Sequence, residues 1–202
     1  NNRAYHIGYT AAEQHAQSEF HITTITLDGA IVRNNLHIHL KEEHCTSYLY
    51  GLYCVNGTQL VDNHSLVDHA VPNCQSNELY KGIIDEKGQG VFNGKIFVRK
   101  DAQKTNAYQS NKNILLSDEA VMNTKPQLEI FADDVKCSHG TTSGQLDEEA
   151  LFYLRSRGIG EEHAKAFLNI AFAGDVIQKI AYAPLRDCLM ELMEKKLKRE
   201  SL

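Results

Sequence analysis

The residues best equipped for chemistry lie in one string, Asp133-Asp134-Val135-Lys136-Cys137-Ser138-His139-Gly140. Laid out as a strand, it puts Val135, Cys137 and His139 on one face and Lys136 and Ser138 on the other. A thiolate and an imidazole two residues apart on one face can reach a single soft or borderline metal. Lys136 and a nearby imidazolium are expected to favour the thiolate form of Cys137. Two ligands cannot close a tetrahedral site, so the remaining donors must come from elsewhere in the fold or from another chain. The adjacent carboxylates Asp133 and Asp134 would point to opposite sides of a strand and could not flank one sugar bond. A second cluster, His37, His39 and His44, offers the alternative of a His-rich metal site. Motifs for other chemistries are missing. There is no G-x-x-x-x-G-K-[ST] loop, no G-x-G-x-x-G after a strand, no G-x-S-x-G elbow and no H-E-x-x-H helix.

The elements that must position these residues divide the chain into 1–145 and 146–202. The first part reads as strands: short apolar or alternating runs broken by Gly, Asn and Asp every few residues. Phe20–Leu27, Leu36–Leu40, Ser47–Val55, Lys95–Val98 and Gln127–Phe131 are examples. In Leu36-His37-Ile38-His39-Leu40 three aliphatics share one face and two imidazoles the other. Asp28-Gly29, Asn56-Gly57 and Asn93-Gly94 are expected to be tight turns. The polar string Lys100–Asn113 is expected to be a corner loop. This pattern leaves sandwich, barrel and β-solenoid all open, since no strict repeat is visible.

Residues 146–202 read as three short helices. Asp147-Glu148-Glu149 suits a first turn and Gly158 a stop. The next segment carries Ala164, Phe167, Leu168, Ala171, Phe172, Val176 and Ile180 at helical spacing, with Gly174 expected to weaken or split it. Pro184 opens a third helix that ends in Lys195-Lys196-Leu197-Lys198-Arg199, cations at the favourable pole. Helices this short make a poor core alone and should pack on the β part, on a partner, or on both.

Composition excludes several classes. The chain has 202 residues, 42% hydrophobic and 23% charged, as expected of a globular protein. No run approaches the length of a membrane span, so no membrane partner is expected. The net charge of −5 argues against a nucleic-acid partner. Cys45, Cys54, Cys74, Cys137 and Cys188 are five in number, without a C-x-x-C pair, which suits a reducing, cytoplasmic compartment. The sequence opens Asn1-Asn2-Arg3, without Met, and reads as a fragment of a longer chain.

From residue 79 to 159 the sequence resembles the SufB/SufD family of iron–sulfur cluster assembly scaffolds, SufD in particular. The matching strings include Lys81-Gly82-Ile83-Ile84, Gly90-Val91-Phe92-Asn93-Gly94-Lys95-Ile96 and Thr124-Lys125-Pro126-Gln127-Leu128-Glu129-Ile130. They continue through Val135-Lys136-Cys137-Ser138-His139-Gly140 and Phe152-Tyr153-Leu154-Arg155-Ser156-Arg157-Gly158-Ile159. The resemblance implies a right-handed parallel β-helix followed by a small C-terminal helical domain. It implies a non-catalytic scaffold subunit of the SUF complex. Its implied partners are a SufC-like ABC ATPase on the helices and a SufB-like subunit, or a second SufD copy, near the end of the β-helix. It implies that Cys137 and His139 lie at that interface as ligands of iron or a transient iron–sulfur cluster, with any flavin confined to the full complex. Tyr153, Arg155, Arg157, Phe167 and Phe172 are the candidate docking residues. The competing reading, a β-helix carbohydrate-active enzyme, needs clustered carboxylates on one sheet face, and the sequence offers none.

Overall fold

The computed structural model describes residues 3–197. Ten strands come first: β1 (Tyr5–Gln14), β2 (Glu19–Thr26), β3 (Ile31–Leu40), β4 (Thr46–Val55), β5 (Leu60–His69), β6 (Gln75–Ile84), β7 (Gln89–Val98), β8 (Asn106–Leu115), β9 (Val121–Ile130) and β10 (Lys136–Gly144). Three helices follow: α1 (Glu148–Ser156), α2 (Glu161–Ile177) and α3 (Ala183–Leu197).

Odd strands form one five-stranded sheet in the order β1-β3-β5-β7-β9, and even strands the other, β10-β8-β6-β4-β2. Every pairing is parallel. Each coil therefore gives one strand to each sheet and stacks on the coil before it, which makes a flattened parallel β-solenoid. Ile31 stands beside Leu60 and Leu60 beside Gln89, so a coil there takes 29 residues. The repetition resides in the corners. Gln17, His44, Asn73 and Lys104 fall at the same corner of successive coils, and each has φ between 58° and 62°. At the other corner Gly57 and Glu86 have φ of 60° and 53°. Because the corner is a backbone device filled by different side chains, no sequence repeat announces it.

Alternate residues point into the lumen. Val32, Val61 and Phe92 meet Tyr53, Val55, Tyr80 and Ile84 there. Large rings fit because glycines stand beside them. Gly51 is in register with Tyr80, and Gly82 with Tyr53. A Cβ on either glycine would fall within the neighbouring ring. The same device explains Asn93-Gly94, expected as a turn but found inside β7. A Cβ at Gly94 would collide with Gln109, so this glycine supplies space and not a bend.

The Lys100–Asn113 string also departs from expectation, since its second half is β8. Its lumen residues are amides that bond to one another. Asn113 Nδ2 donates to Asn111 Oδ1 at 2.8 Å, and Gln109 Nε2 donates to Glu78 Oε2 at 2.8 Å. Tyr53 donates its hydroxyl to Asn113 Oδ1 at 2.6 Å. Buried polar groups are tolerated when they satisfy one another, and here they mask the alternation that betrays a strand.

The helices pack on the outer face of the even sheet. Outward-facing Leu52, Cys54 and Ile83 meet Ala173, Val176, Ile177, Leu189 and Met193. Each fully buried aliphatic contributes roughly 1.5–3 kcal/mol. Lys81 of β6 is buried at the centre of this contact. Its ammonium donates to the Phe172 carbonyl at 3.0 Å, sits 4.1 Å from the Phe172 ring centroid and pairs with Asp175. α2 is unbroken across Gly174. Its buried face runs through Ala164, Asn169, Ala173 and Ile177, so Phe167 and Ala171, placed on the apolar stripe by spacing, face outward instead. Lys198 and Arg199 of the basic tail lie outside the described residues.

Two outcomes are expected from this packing. Gly82→Ala should lower stability by about 1–3 kcal/mol, read from the denaturant midpoint, because the Tyr53 ring has no room to retreat. Burial pushes the Glu78 carboxyl up to about 7, from 4.5 when exposed. The stabilisation tied to that retained proton is complete below 4.5 and lost as pH rises through about 7. Glu78→Gln should therefore match the parent in acid and unfold at higher denaturant at about pH 8.

Candidate functional site

β9 and β10 form the last coil, and each has a neighbour on one side only, β7 and β8 respectively. The helices pack on β6 and β4, two and three coils away from that edge. The lumen of the solenoid thus ends in an open rung. β10 places its side chains there by register: Cys137 stands beside Ala107 and His139 beside Gln109, both lumen positions. The pair does share one face, the inward one, as the alternation predicts, and Lys136 and Ser138 take the other.

Cys137 is half-buried against the cluster of Ile96, Val98, Ala102, Ala107 and Ala132. His139, one rung position further, is exposed. Burial pushes the Cys137 thiol above its ordinary range, offset in part by a backbone hydrogen bond from Ala107. This reverses the expected thiolate. Lys136 points away from the sulfur, and the apolar wall dominates. Any metal bound at Cys137 would have to displace that proton.

Among the described residues no three His, Cys, Asp or Glu side chains converge as a metal cage requires. Cys137 and His139 stand as an incomplete set. The alternative His cluster is not assembled either. His37 and His39 project from the outer face of β3, and His44 occupies a corner beside Glu43. His39 is engaged by Asp68 at 2.9 Å. Burial raises the Asp68 carboxyl, but bonds from Arg99 and His39 outweigh it and hold the group below its usual range. Asp133 and Asp134 are exposed in the corner between β9 and β10. The other cysteines are free: Cys45, Cys54 and Cys74 are buried and Cys188 is exposed on α3.

The docking candidates separate into two groups. α1 is capped by Asp147, whose carboxylate accepts from the backbone N–H groups of Glu149 and Ala150. It contains no buried residue. Phe152 is 75% exposed, Tyr153 57% and Phe167 58%. Arg157 lies over the Tyr153 ring at 5.1 Å, and Arg155 pairs with Glu161 at 3.4 Å. Tyr153 and Arg157 thus make an apolar and cationic spot at the end of α1, and Arg155 ties it to the start of α2, while Phe167 is exposed further along α2. Phe172 is not part of it, because its ring and carbonyl are held by Lys81 inside the fold. Spacing missed the Lys81–Asp175 anchor and the neighbour Phe152. The available signal was Leu79-Tyr80-Lys81-Gly82-Ile83, where aliphatics at outward positions imply a covered sheet face.

Comparison with known proteins adds a second line. A family profile described as "SUF system FeS cluster assembly, SufBD core domain" matches residues 1–172. An iron–sulfur cluster assembly SufBD family protein of Synechocystis is 41% identical over 188 residues, covering 93% of this chain and 42% of that protein. The iron–sulfur cluster assembly protein SufD of Escherichia coli is 41% identical over 154 residues, 76% of this chain and 36% of its own length. A chloroplastic protein of Arabidopsis thaliana, ABCI7, is 39% identical over 186 residues, 90% of this chain and 38% of that protein. The chain spans about two fifths of the length of these relatives.

The burial series orders the thiols. Under native conditions a maleimide should label Cys188 first and Cys137 slowly, with the Cys137 rate climbing as pH rises past the ordinary thiol range of about 8.5. Cys45, Cys54 and Cys74 should react only on unfolding. Mass-spectrometric mapping of the labelled peptides reads the order directly.

Proposed function

This chain belongs to the SufBD core family of the SUF iron–sulfur assembly system, and from that premise we propose that it is a non-catalytic, SufD-like scaffold subunit on which nascent clusters are built and passed on. The observation that carries this reading is the pair of lumen-facing donors, Cys137 and His139, at the unpaired edge of the last coil. A free edge of backbone donors and acceptors invites strands of another chain. A SufB-like subunit, or a second copy, docked there would bring the ligands this chain lacks. The cluster is then cargo held between two proteins. Cys137 supplies the stronger bond, and His139, exposed to solvent, the more readily exchanged one.

The α1–α2 corner is the seat for a SufC-like ABC ATPase. Phe152, Tyr153 and Phe167 supply apolar area, with Arg155 and Arg157 at its rim. Nucleotide-driven movement of that partner would reach the solenoid through the Lys81 anchor. Free thiols throughout the chain suit a cytoplasmic setting, and no described helix is long and apolar enough to cross a membrane.

Co-expression with SufB-like and SufC-like subunits tests the reading. The double variant Cys137→Ala, His139→Ala should retain the complex on size exclusion but lose most of the iron and sulfide found after anaerobic purification. Undiminished cluster content in that variant would overturn the proposal.

A further inference from the structure

A cleft of about 520 Å³ opens where α1 and α2 meet the corner after β8. Its walls are of two kinds. Leu116, Leu151 and Leu197 give apolar sides, while Asp118, Glu148 and Glu162 add carboxylates. Lys165, a cation on its lining, is taken by Glu161 at 2.8 Å. Deep in the cleft stands Asn169. It is 4% exposed, and its buried Oδ1 has no hydrogen-bond partner among the described residues. A buried amide oxygen without a partner costs about 1–3 kcal/mol and calls for a donor. The carboxylates call for a cation. Among the described residues they do not converge with others as a metal cage would require. Apolar walls leading to a buried acceptor fit a long aliphatic stem with a charged tip.

From this geometry we propose that the cleft receives one Lys or Arg side chain of the protein docked on α1. Leu151 and Glu148 of α1 line the cleft while Phe152, the next residue, faces solvent, so a partner seated on Phe152 and Tyr153 stands at its mouth. The methylene stem packs against Leu116 and Leu151. The head donates to Asn169 Oδ1 and to the carboxylates, charge-assisted bonds formed only in the complex. This inference rests on the docking role given above to the α1–α2 corner, and it names the chemistry by which that partner is recognised.

Affinity of the chain for the SufC-like ATPase, measured by titration calorimetry at low and high salt, tests both readings separately. The rim variant Asp118→Asn, Glu148→Gln, Glu162→Gln should weaken binding about tenfold or more at low salt and flatten the salt dependence. Asn169→Leu should weaken it similarly with the salt slope retained; should that variant not fold, the exposed rim variant decides. Phe152→Ser reports on the docking surface alone. Loss of affinity in Phe152→Ser together with a rim variant that binds within about twofold of the parent would overturn the cleft proposal and spare the docking role. Absence of binding by the parent chain would overturn both.

Discussion

In a parallel solenoid the backbone of each coil is satisfied by the coils on either side, and this requirement organises the rest of the chain. β3, β5 and β7 have neighbours on both edges, as do β4, β6 and β8. β9 and β10 do not. Unpaired edges at β1 and β2 and at β9 and β10 are therefore a result of the architecture, and the second coincides with the string that carries Cys137 and His139. In the scaffold role proposed above, two deficits meet at this edge: the sheet lacks a strand, and Cys137 and His139 lack further donors. In that role one event, the arrival of another subunit, would answer both.

The helices answer a different need. The even sheet would expose Leu52, Cys54 and Ile83 to water, and α2 and α3 cover them. Lys81 shows how this cover is registered. A buried ammonium held by a carbonyl, a carboxylate and a ring tolerates little sliding of α2 along β6. Hydrophobic packing alone would fix the layer but not the position within it. α1 stands outside this arrangement: it packs on α2 with no fully buried residue and leaves Phe152 and Tyr153 facing solvent.

How much of this was legible in the sequence depended on which face a residue takes. The division into strands and helices could be read, because aliphatic alternation gives way to acidic first turns near Asp147. The shared face of Cys137 and His139 could be read for the same reason. The corners Asp28-Gly29 and Asn56-Gly57 were legible, and both glycines have positive φ. β8 was not, because Gln109, Asn111 and Asn113 look like a loop until the lumen pairs them with Glu78 and Tyr53. Choosing the solenoid over a sandwich rested on the family strings, since neither the corner geometry nor the coil stacking leaves a repeat. The state of the Cys137 thiol was misjudged because charge adjacent in sequence says little about which wall a side chain meets. Phe167 and Phe172, read alike from helical spacing, part for a related cause: only the position of α2 on the sheet decides that Phe172 is covered and Phe167 is not.

An array whose units touch only their neighbours does not melt uniformly. Its interior coils are held from both sides, whereas the terminal one can fray while the remainder stays intact. Of the two terminal coils here, the one formed by β9 and β10 carries the thiol and the imidazole. Amide protons of β10 should thus exchange with solvent through excursions too small to disturb the lumen tyrosines. In the proposed role, cargo handover would depend on how often that last rung breathes, and a subunit docked on the edge would slow the breathing.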